Sequence, residues 1–394
     1  MARVLVVAGG KWQIPIVKMA KEHGHYVVCS NLYEDSPAFK YADKGVVADV
    51  LDKEKNLYIA KENQIDAVLT SQSDIAVPTV AYIADKMNLR GISVEVATRF
   101  TNKHLMRKIT SEAGFPSPKA RLCHEVSEAI EFVKDVKKSI IKPLDSQSSR
   151  GVFLVNNDQD VITKWEECIK YSNCEKAVVI EEYIDGVEFT VDGLKTEDNY
   201  YVTAISEKSH FKNNPSVADR LLFSNTSNRF DYNKLRSINS EMVAAMGLPF
   251  GITHAEYKYY NGDFYLIEIA ARGGGTRISS DIVPIMSGIN SEEIYLDLLL
   301  GKKRDIKIFG NQKYAVLGFF DFGSGVVKDI SGIKDAEKIK GIHSLEVEIE
   351  VGQLLRSIYD DRSRPGYYII HADSMDDLLK TEKQLKETVE VIME

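Results

Sequence analysis

Ile140-Ile141-Lys142-Pro143, then Leu144 and the run Asp145-Ser146-Gln147-Ser148-Ser149-Arg150-Gly151-Val152, is the stretch whose reading decides the fold. The apolar residues before Lys142 and those of 152–155 predict two strands joined by a loop of small polar residues. Such a loop offers hydroxyls and backbone amides, the groups that cradle phosphate. Outward from it the pattern is compact. A strand over 119–122 and a helix over 126–133 precede it. A helix over 161–171 and a strand over 177–182 follow, the latter containing Val179-Ile180-Glu181-Glu182-Tyr183-Ile184, with Gly186 and Glu188 just beyond. Upstream, a helix from Asn102 opens with Lys103 and ends at Gly114, and Pro116 and Pro118 mark the stop.

The first ninety or so residues alternate strand and helix signals: strands at 4–8, 26–29 and 66–69, helices at 14–22, 53–63 and 75–87. That alternation predicts βαβ units and a parallel sheet covered on both faces, with ligands beyond the carboxyl ends of the strands. Those ends carry Gly9-Gly10-Lys11, Ser30-Asn31 and Ser71-Gln72-Ser73-Asp74. Gly9-Gly10 lacks the spaced glycines of a dinucleotide fingerprint. Asp74 reads first as a helix cap and second as a substrate contact. A polar break at Arg90-Gly91-Ile92-Ser93 ends this unit. Downstream of Glu188, residues 187–271 are mostly strands, with a polar loop at 211–219 and a helix over 234–246. After about 313, β-rich segments at 314–322, 345–351 and 367–371 lead to a charged terminal helix over 376–391.

The 394 residues are 44% apolar and 27% charged, an ordinary globular balance. A net charge of −8 argues against wrapping nucleic acid, whose phosphates need a basic surface. No run approaches the ~20 apolar residues of a membrane span. A soluble, cytoplasmic protein is expected. Cys29, Cys123, Cys168 and Cys174 form no CxxC pair and read as idle thiols, and His23-x-His25 as a helix-end feature rather than a metal site.

Chemistry concentrates in Glu256, Glu268 and Arg272. Side chains alternate along a strand, so Glu268, Ala270 and Arg272 share one face while Ile267, Ile269 and Ala271 share the other. The apolar set faces the core, which turns the carboxylate and guanidinium into a cleft. His254, Glu256 and Lys258 share a face in the same way. A plain two-residue turn at Asn261-Gly262 would put Glu256 and Glu268 on opposite faces. A shared site therefore requires an odd-length loop, with Tyr260 opposite Phe264, or a bulge. His254 would lie beside Glu256, within reach of a substrate carboxylate, and reads equally as a structural histidine bonded to a neighbouring strand. Lys208 and His210 read first as exposed edge polarity and second as residues facing the cleft, and Arg364-Pro365-Gly366 as a distant candidate for the site.

Taken in order, Lys103, the Lys142 strand with its loop, the 179–188 segment and the Glu256, Glu268, Arg272 set resemble the ATP-grasp superfamily. The likeness is to its L-amino-acid-ligase and carbamoyl-phosphate-synthase-like carboxylate–amine ligases. The resemblance implies an α/β protein in three parts: an N-terminal parallel-sheet domain (1–100), a small lid domain (101–185) and a larger α+β nucleotide-binding domain (186–394) whose β-rich end starts near 313. It also implies that Lys103 and Lys142 hold the α- and β-phosphates of ATP while the loop with Ser146, Ser148, Ser149 and Gly151 closes over them. The segment Glu182, Tyr183 and Ile184 would meet the adenine, Glu181 its amino group, and Glu188 the ribose. Glu256 and Glu268 would bind magnesium, or manganese in its place, and Arg272 would steady the transferring phosphoryl group and the acyl intermediate. Two departures stand out: the phosphate loop keeps a single glycine, Gly151, and Ala270 replaces a frequent metal-binding Asn.

The activity implied is an ADP-forming ligase that activates a carboxylate, an amino acid or small carboxylic acid, as an acyl phosphate and couples it to an amine. Its partners would be those small molecules and, as in related enzymes, a second copy of the chain. A carboxylase or formyltransferase using bicarbonate or formate is the rival enzyme, and Gly273-Gly274-Gly275-Thr276-Arg277 departs from the biotin-carboxylase pattern. A non-catalytic ATP sensor is the rival from another class.

Overall fold

Residues 1–146, 150–173, 175–308 and 313–394 are described by the computed structural model. Its first sheet is parallel and runs in the order β3-β2-β1-β4, from β1 (Arg3–Val7), β2 (Tyr26–Asn31), β3 (Lys44–Val47) and β4 (Ala67–Leu69). Val4 to Val7 are buried on both faces, as a strand under helices requires. The short edge strand β3 has only two apolar residues and lacked a sequence signal. The polar break at 90–93 is followed at once by a helix, Val94–Thr101, capped by the Ser93 side chain. Asn102 then ends that helix and caps the next, Lys103–Glu112, accepting from the Leu105 N–H.

The second sheet is antiparallel, in the order β5-β8-β6-β7, from β5 (Ala120–Cys123), β6 (Ser139–Pro143), β7 (Phe153–Val155) and β8 (Val178–Glu182). Helices Val126–Val136 and Asp158–Ile169 pack on it through Phe132, Val133, Trp165 and Cys168. The described cysteines are buried and free, and burial pushes their thiols up to about 12, so they are inert.

The remaining strands are β9 (Val187–Lys195), β10 (Tyr200–Phe211), β11 (Asn214–Ser224), β12 (Gly251–Tyr260), β13 (Asp263–Ala270), β14 (Tyr314–Phe319), β15 (Gly325–Ser331), β16 (Ile342–Val347), β17 (Leu354–Leu355), β18 (Gly366–Ala372) and β19 (Glu390–Met393). Eight of them form one sheet in the order β13-β12-β9-β10-β11-β14-β18-β16, while β17, β15 and β19 make a small sheet of their own. The stretch expected as a polar loop at 211–219 is instead a tight hairpin, with Phe211 opposite Asn214 and β11 already running. Its polar residues fall on a strand that bulges, which hid the alternation. The terminal helix stops at Thr388, and the last residues add β19.

Two core clusters join the N-terminal unit to the large sheet. Val77, Phe100 and Met106 pack with Phe189, Leu235, Tyr257 and Phe264. Val4 and Val6 belong with Ile252, Ile294 and Leu298. The loops at the carboxyl ends of β1 and β4 are thereby fixed against the large sheet.

The β12–β13 hairpin meets the parity requirement by a bulge. Its turn is the two-residue Asn261-Gly262, both with positive φ (50° and 90°), and Tyr260 pairs with Asp263. The expected opposition of Tyr260 and Phe264 does not occur. Tyr257 pairs with Leu266 but Glu256 pairs with Glu268, so Ile267 is the extra residue and both carboxylates reach the same face.

Candidate functional site

The pairing of four strands builds the site as rows on one face. Glu268, Glu256, Thr190 and Ser206 stand side by side across β13, β12, β9 and β10. The next row holds Ala270, His254 and Asp192, and the row on the other side holds Lys258, Glu188 and Lys208. Lys208 and His210, expected first as exposed edge polarity, instead point into the site. The Lys208 ammonium lies 2.6 Å from Glu188 and 2.9 Å from Glu256, and His210 lies 3.4 Å from Glu188. Their spacing from Glu188 along a hairpin was the signal: residues of equal parity on paired strands share a face.

Burial alone would raise the Glu256 carboxyl, but Lys208 and then His254 hold it well below the ordinary range. Glu188 is likewise lowered against burial, chiefly by Lys208. For His254, the Asp192 carboxylate 2.9 Å from Nδ1 outweighs burial and pushes the imidazole up to about 9, so it is a cation at neutral pH. Ala270 stands directly across from His254 and leaves that part of the face to the imidazole.

Lys103 reaches the same face from the helix that Asn102 caps. Its ammonium is 3.0 Å from Glu268 and 2.7 Å from the Ser146 carbonyl, while its own N–H donates to the Leu144 carbonyl. The phosphate-loop candidates divide. Ser146 donates to the Arg150 carbonyl, and Ser148 and Ser149 lie outside the described residues. Gly151 has φ +72°, and a Cβ there would come within 2.8 Å of Tyr171 and Pro143, so a glycine is required on both counts.

On the four-stranded antiparallel sheet, Lys142 is buried and its ammonium lies 2.6 Å from Glu181. Arg107, which the sequence reading missed, grips the same carboxylate through Nε at 2.9 Å and Nη2 at 3.3 Å. Burial pushes the Lys142 ammonium down to about 8; Glu181 opposes this, and Arg107 adds to it. Glu181 is lowered despite burial, by Arg107 and then Lys142. Both its oxygens are therefore engaged by cations, and it is the counter-ion of Lys142 rather than an open carboxylate for a base amino group. A periodicity signal for Arg107 existed: it lies four residues after Lys103, on the same helix face.

Between the four-stranded antiparallel sheet and the large one, Glu182 donates its N–H to the Lys119 carbonyl and Tyr183 donates to that of Lys138. The Tyr183 ring lies under two ammonium groups, Lys138 at 4.0 Å and Lys258 at 4.6 Å from its centre. Ile184 is buried beside them.

Arg272 is fixed from the first sheet. Asp74 accepts from Nε at 2.9 Å and Nη2 at 2.6 Å, and Nη1 donates to the Gly273 carbonyl. The Gly273 N–H in turn donates to the Ser71 carbonyl. Ser73, not Asp74, is the cap residue of the short helix, so the expected cap is an ion-pair partner instead. Arg364 stays away from this set, stacked 3.7 Å over Phe319 and paired with Asp361.

A magnesium ion suits this donor set. Glu256 and Glu268 are hard oxygen ligands facing each other, but among the described residues no group of three His, Cys, Asp or Glu could hold an ion. The rest of a six-oxygen shell must come from phosphate and water, which magnesium accepts. No helix among the described residues is long and apolar enough to cross a membrane.

Residues 136–281 match the ATP-grasp domain family, so the chain carries an ATP-grasp domain. More narrowly, residues 318–394 match L-amino acid ligase C-terminal domain 2. The chain resembles the formate-dependent phosphoribosylglycinamide formyltransferase of Prochlorococcus marinus, 27% identical over 202 residues, 48% of this chain and 50% of that one. It also resembles the alanine–anticapsin ligase of Bacillus subtilis, 25% identical over 269 residues, 61% of this chain and 56% of that one. The chain thus spans about half the length of the curated relatives it matches. The crystal structure of an L-amino acid ligase from Bacillus licheniformis covers 100% of this chain and 99% of its own, with a TM-score of 0.83 at 20% identity.

Proposed function

We propose that the protein is an ATP-dependent, ADP-forming carboxylate–amine ligase acting on an amino acid or small carboxylic acid. The observation that carries this reading is the convergence of Lys103, Lys208, His254 and Arg272 on the face where Glu256 and Glu268 oppose each other. Four cations and two metal-type carboxylates on one face suit a reaction that needs positioning and charge neutralisation rather than a covalent nucleophile. The C-terminal match and the alanine–anticapsin ligase support an amino-acid carboxylate rather than formate as the acid that is activated.

Lys103 and Lys142 would hold the phosphates, and the segment from Glu182 to Ile184 the adenine. Glu188 would turn from Lys208 to the ribose, releasing that ammonium toward the γ-phosphate. Glu256 and Glu268 would hold a magnesium ion, which when bound neutralises charge on the phosphate oxygens. The substrate carboxylate oxygen attacks the γ-phosphorus and ADP leaves. The amine nitrogen then attacks the acyl carbon, phosphate leaves, and the amine proton passes to solvent. Arg272, locked by Asp74, presents planar donors to the oxygens of the acyl phosphate, a task its fork suits better than an ammonium would.

Phosphate release measured with Mg-ATP and a panel of amino-acid pairs tests the proposal. Release that requires both a carboxylate and an amine supports it. Release driven by formate or bicarbonate alone points to the rival transferase, and ATP-dependent thermal protection without any release points to a sensor.

A further inference from the structure

Arg107 touches three elements that carry different parts of the chemistry. It rises from the helix that also holds Lys103, one turn earlier. Its Nε and Nη2 fork onto Glu181 of β8, the residue that fixes Lys142. Nη2 also donates to the backbone carbonyl of Ile267, the bulged residue of β13 immediately before Glu268. Arg107 is 4% exposed and Glu181 3%, so these contacts operate away from water, where a charged hydrogen bond is strong and a broken one is expensive.

The carbonyl of Ile267 is no ordinary ladder group. A bulge leaves its extra residue without a cross-strand partner. A bulge without an anchor can migrate along the hairpin, and a shift by one residue would move Glu268 to the opposite face. Anchoring that carbonyl fixes the bulge at Ile267. Arginine alone among the cations reaches both targets, because its donors are spread over a rigid plane whereas the lysine ammonium is a single point.

We propose that Arg107 is the positioning residue that couples the nucleotide half of the site to the metal half, setting Lys142 through Glu181 and Glu268 through the bulge carbonyl. This rests on the reading of Lys142 as a phosphate contact and of Glu268 as a metal ligand. It does not rest on the identity of the substrates. A residue that merely filled space would lower stability when changed and leave the ligand affinities of the folded fraction alone.

The experiment uses the full chain with ATP and Mn2+ only and reads binding, so a failed ligase assay leaves it interpretable. ATP affinity is measured calorimetrically without metal, and Mn2+ affinity of the ATP complex by electron paramagnetic resonance. Arg107→Lys keeps a cation on Glu181 but cannot also span to Ile267. It is expected to bind ATP within about threefold of the native protein while Mn2+ binding weakens about tenfold, the scale of one charged hydrogen bond. Arg107→Met is expected to weaken both by about tenfold or more. Glu181→Gln, which leaves the bulge contact in place, is expected to weaken ATP alone. Native affinities in Arg107→Lys, or an equal loss of both ligands in Arg107→Lys and Glu181→Gln, would overturn the proposal. If Arg107→Met does not fold, the other two variants decide.

Discussion

Two sets of ion pairs flank the cleft, and they are built on different principles. Around the four-stranded antiparallel sheet, Lys142, Glu181 and Arg107 lie almost wholly out of water and pair through both oxygens of the carboxylate, although Arg107 Nη1 is buried without a hydrogen-bond partner among the described residues. On the large sheet, Lys103 and Lys208 pair with Glu268 and Glu256, whose side chains are 36% and 29% exposed. The first set cannot be dismantled without leaving buried charge unpaired, so it acts as framework. The second keeps its carboxylates in contact with solvent, where an incoming ligand can reach them, although the Lys103 and Lys208 ammonium groups are themselves nearly buried. A site that must be both accurate and responsive divides the two tasks between two regions.

The contrast can be broken most directly at Glu181. Glu181→Leu leaves two buried cations facing each other and should destabilise the protein by roughly 3–5 kcal/mol in urea unfolding. Equal stability of mutant and native chains would show that the buried set is not framework. Glu268→Ala should do the reverse: a melting temperature within a few degrees of native, with ATP-dependent phosphate release down roughly a hundredfold or more. A smaller expected effect belongs to Asp74→Asn, which takes the charge from the partner of Arg272. Turnover should fall about tenfold with little change in ATP affinity, and an unchanged rate would mean that Arg272 is held by other contacts.

The smallest expected effect is a pH profile. Phosphate binds best to a charged ammonium, and Lys142 sits at about 8 because burial disfavours its charge. Binding is therefore at full strength below that value and is lost as pH rises through it. ATP affinity should be flat from pH 6.5 to 7.5 and fall by up to about tenfold by pH 9. Lys142→Arg should abolish the decline, since a guanidinium does not titrate there. A decline that persists in the arginine variant would assign it to another group.

Much of this was legible in the sequence because strand parity is a hard constraint. The alternation at Ile267 to Arg272 placed Glu268 and Arg272 on one face, and the even turn at Asn261-Gly262 then demanded an extra residue somewhere. Which residue would bulge was not legible, since that depends on the Arg107 donor arriving from a helix 160 positions away. Asp74 was misjudged for a related reason. A cap is a local property visible in a short window, whereas its ion pair with Arg272 spans 198 positions and exists only once the first sheet packs on the large one. Lys208 looked like edge polarity because a lone strand does not reveal its neighbours; β9 and β12 supply them.

Lys103 has one further consequence, a mechanical one. Its backbone N–H is tied to Leu144 and its ammonium to Ser146, so the start of the helix is laced at two points to the segment that follows β6. A displacement of that segment pulls on the helix start itself, and Asn102, extended between two helices, is the compliant joint that can yield. The position of that segment and the setting of Lys103 are thus geared together: the ammonium that faces Glu268 cannot stay still while residues 144–146 shift.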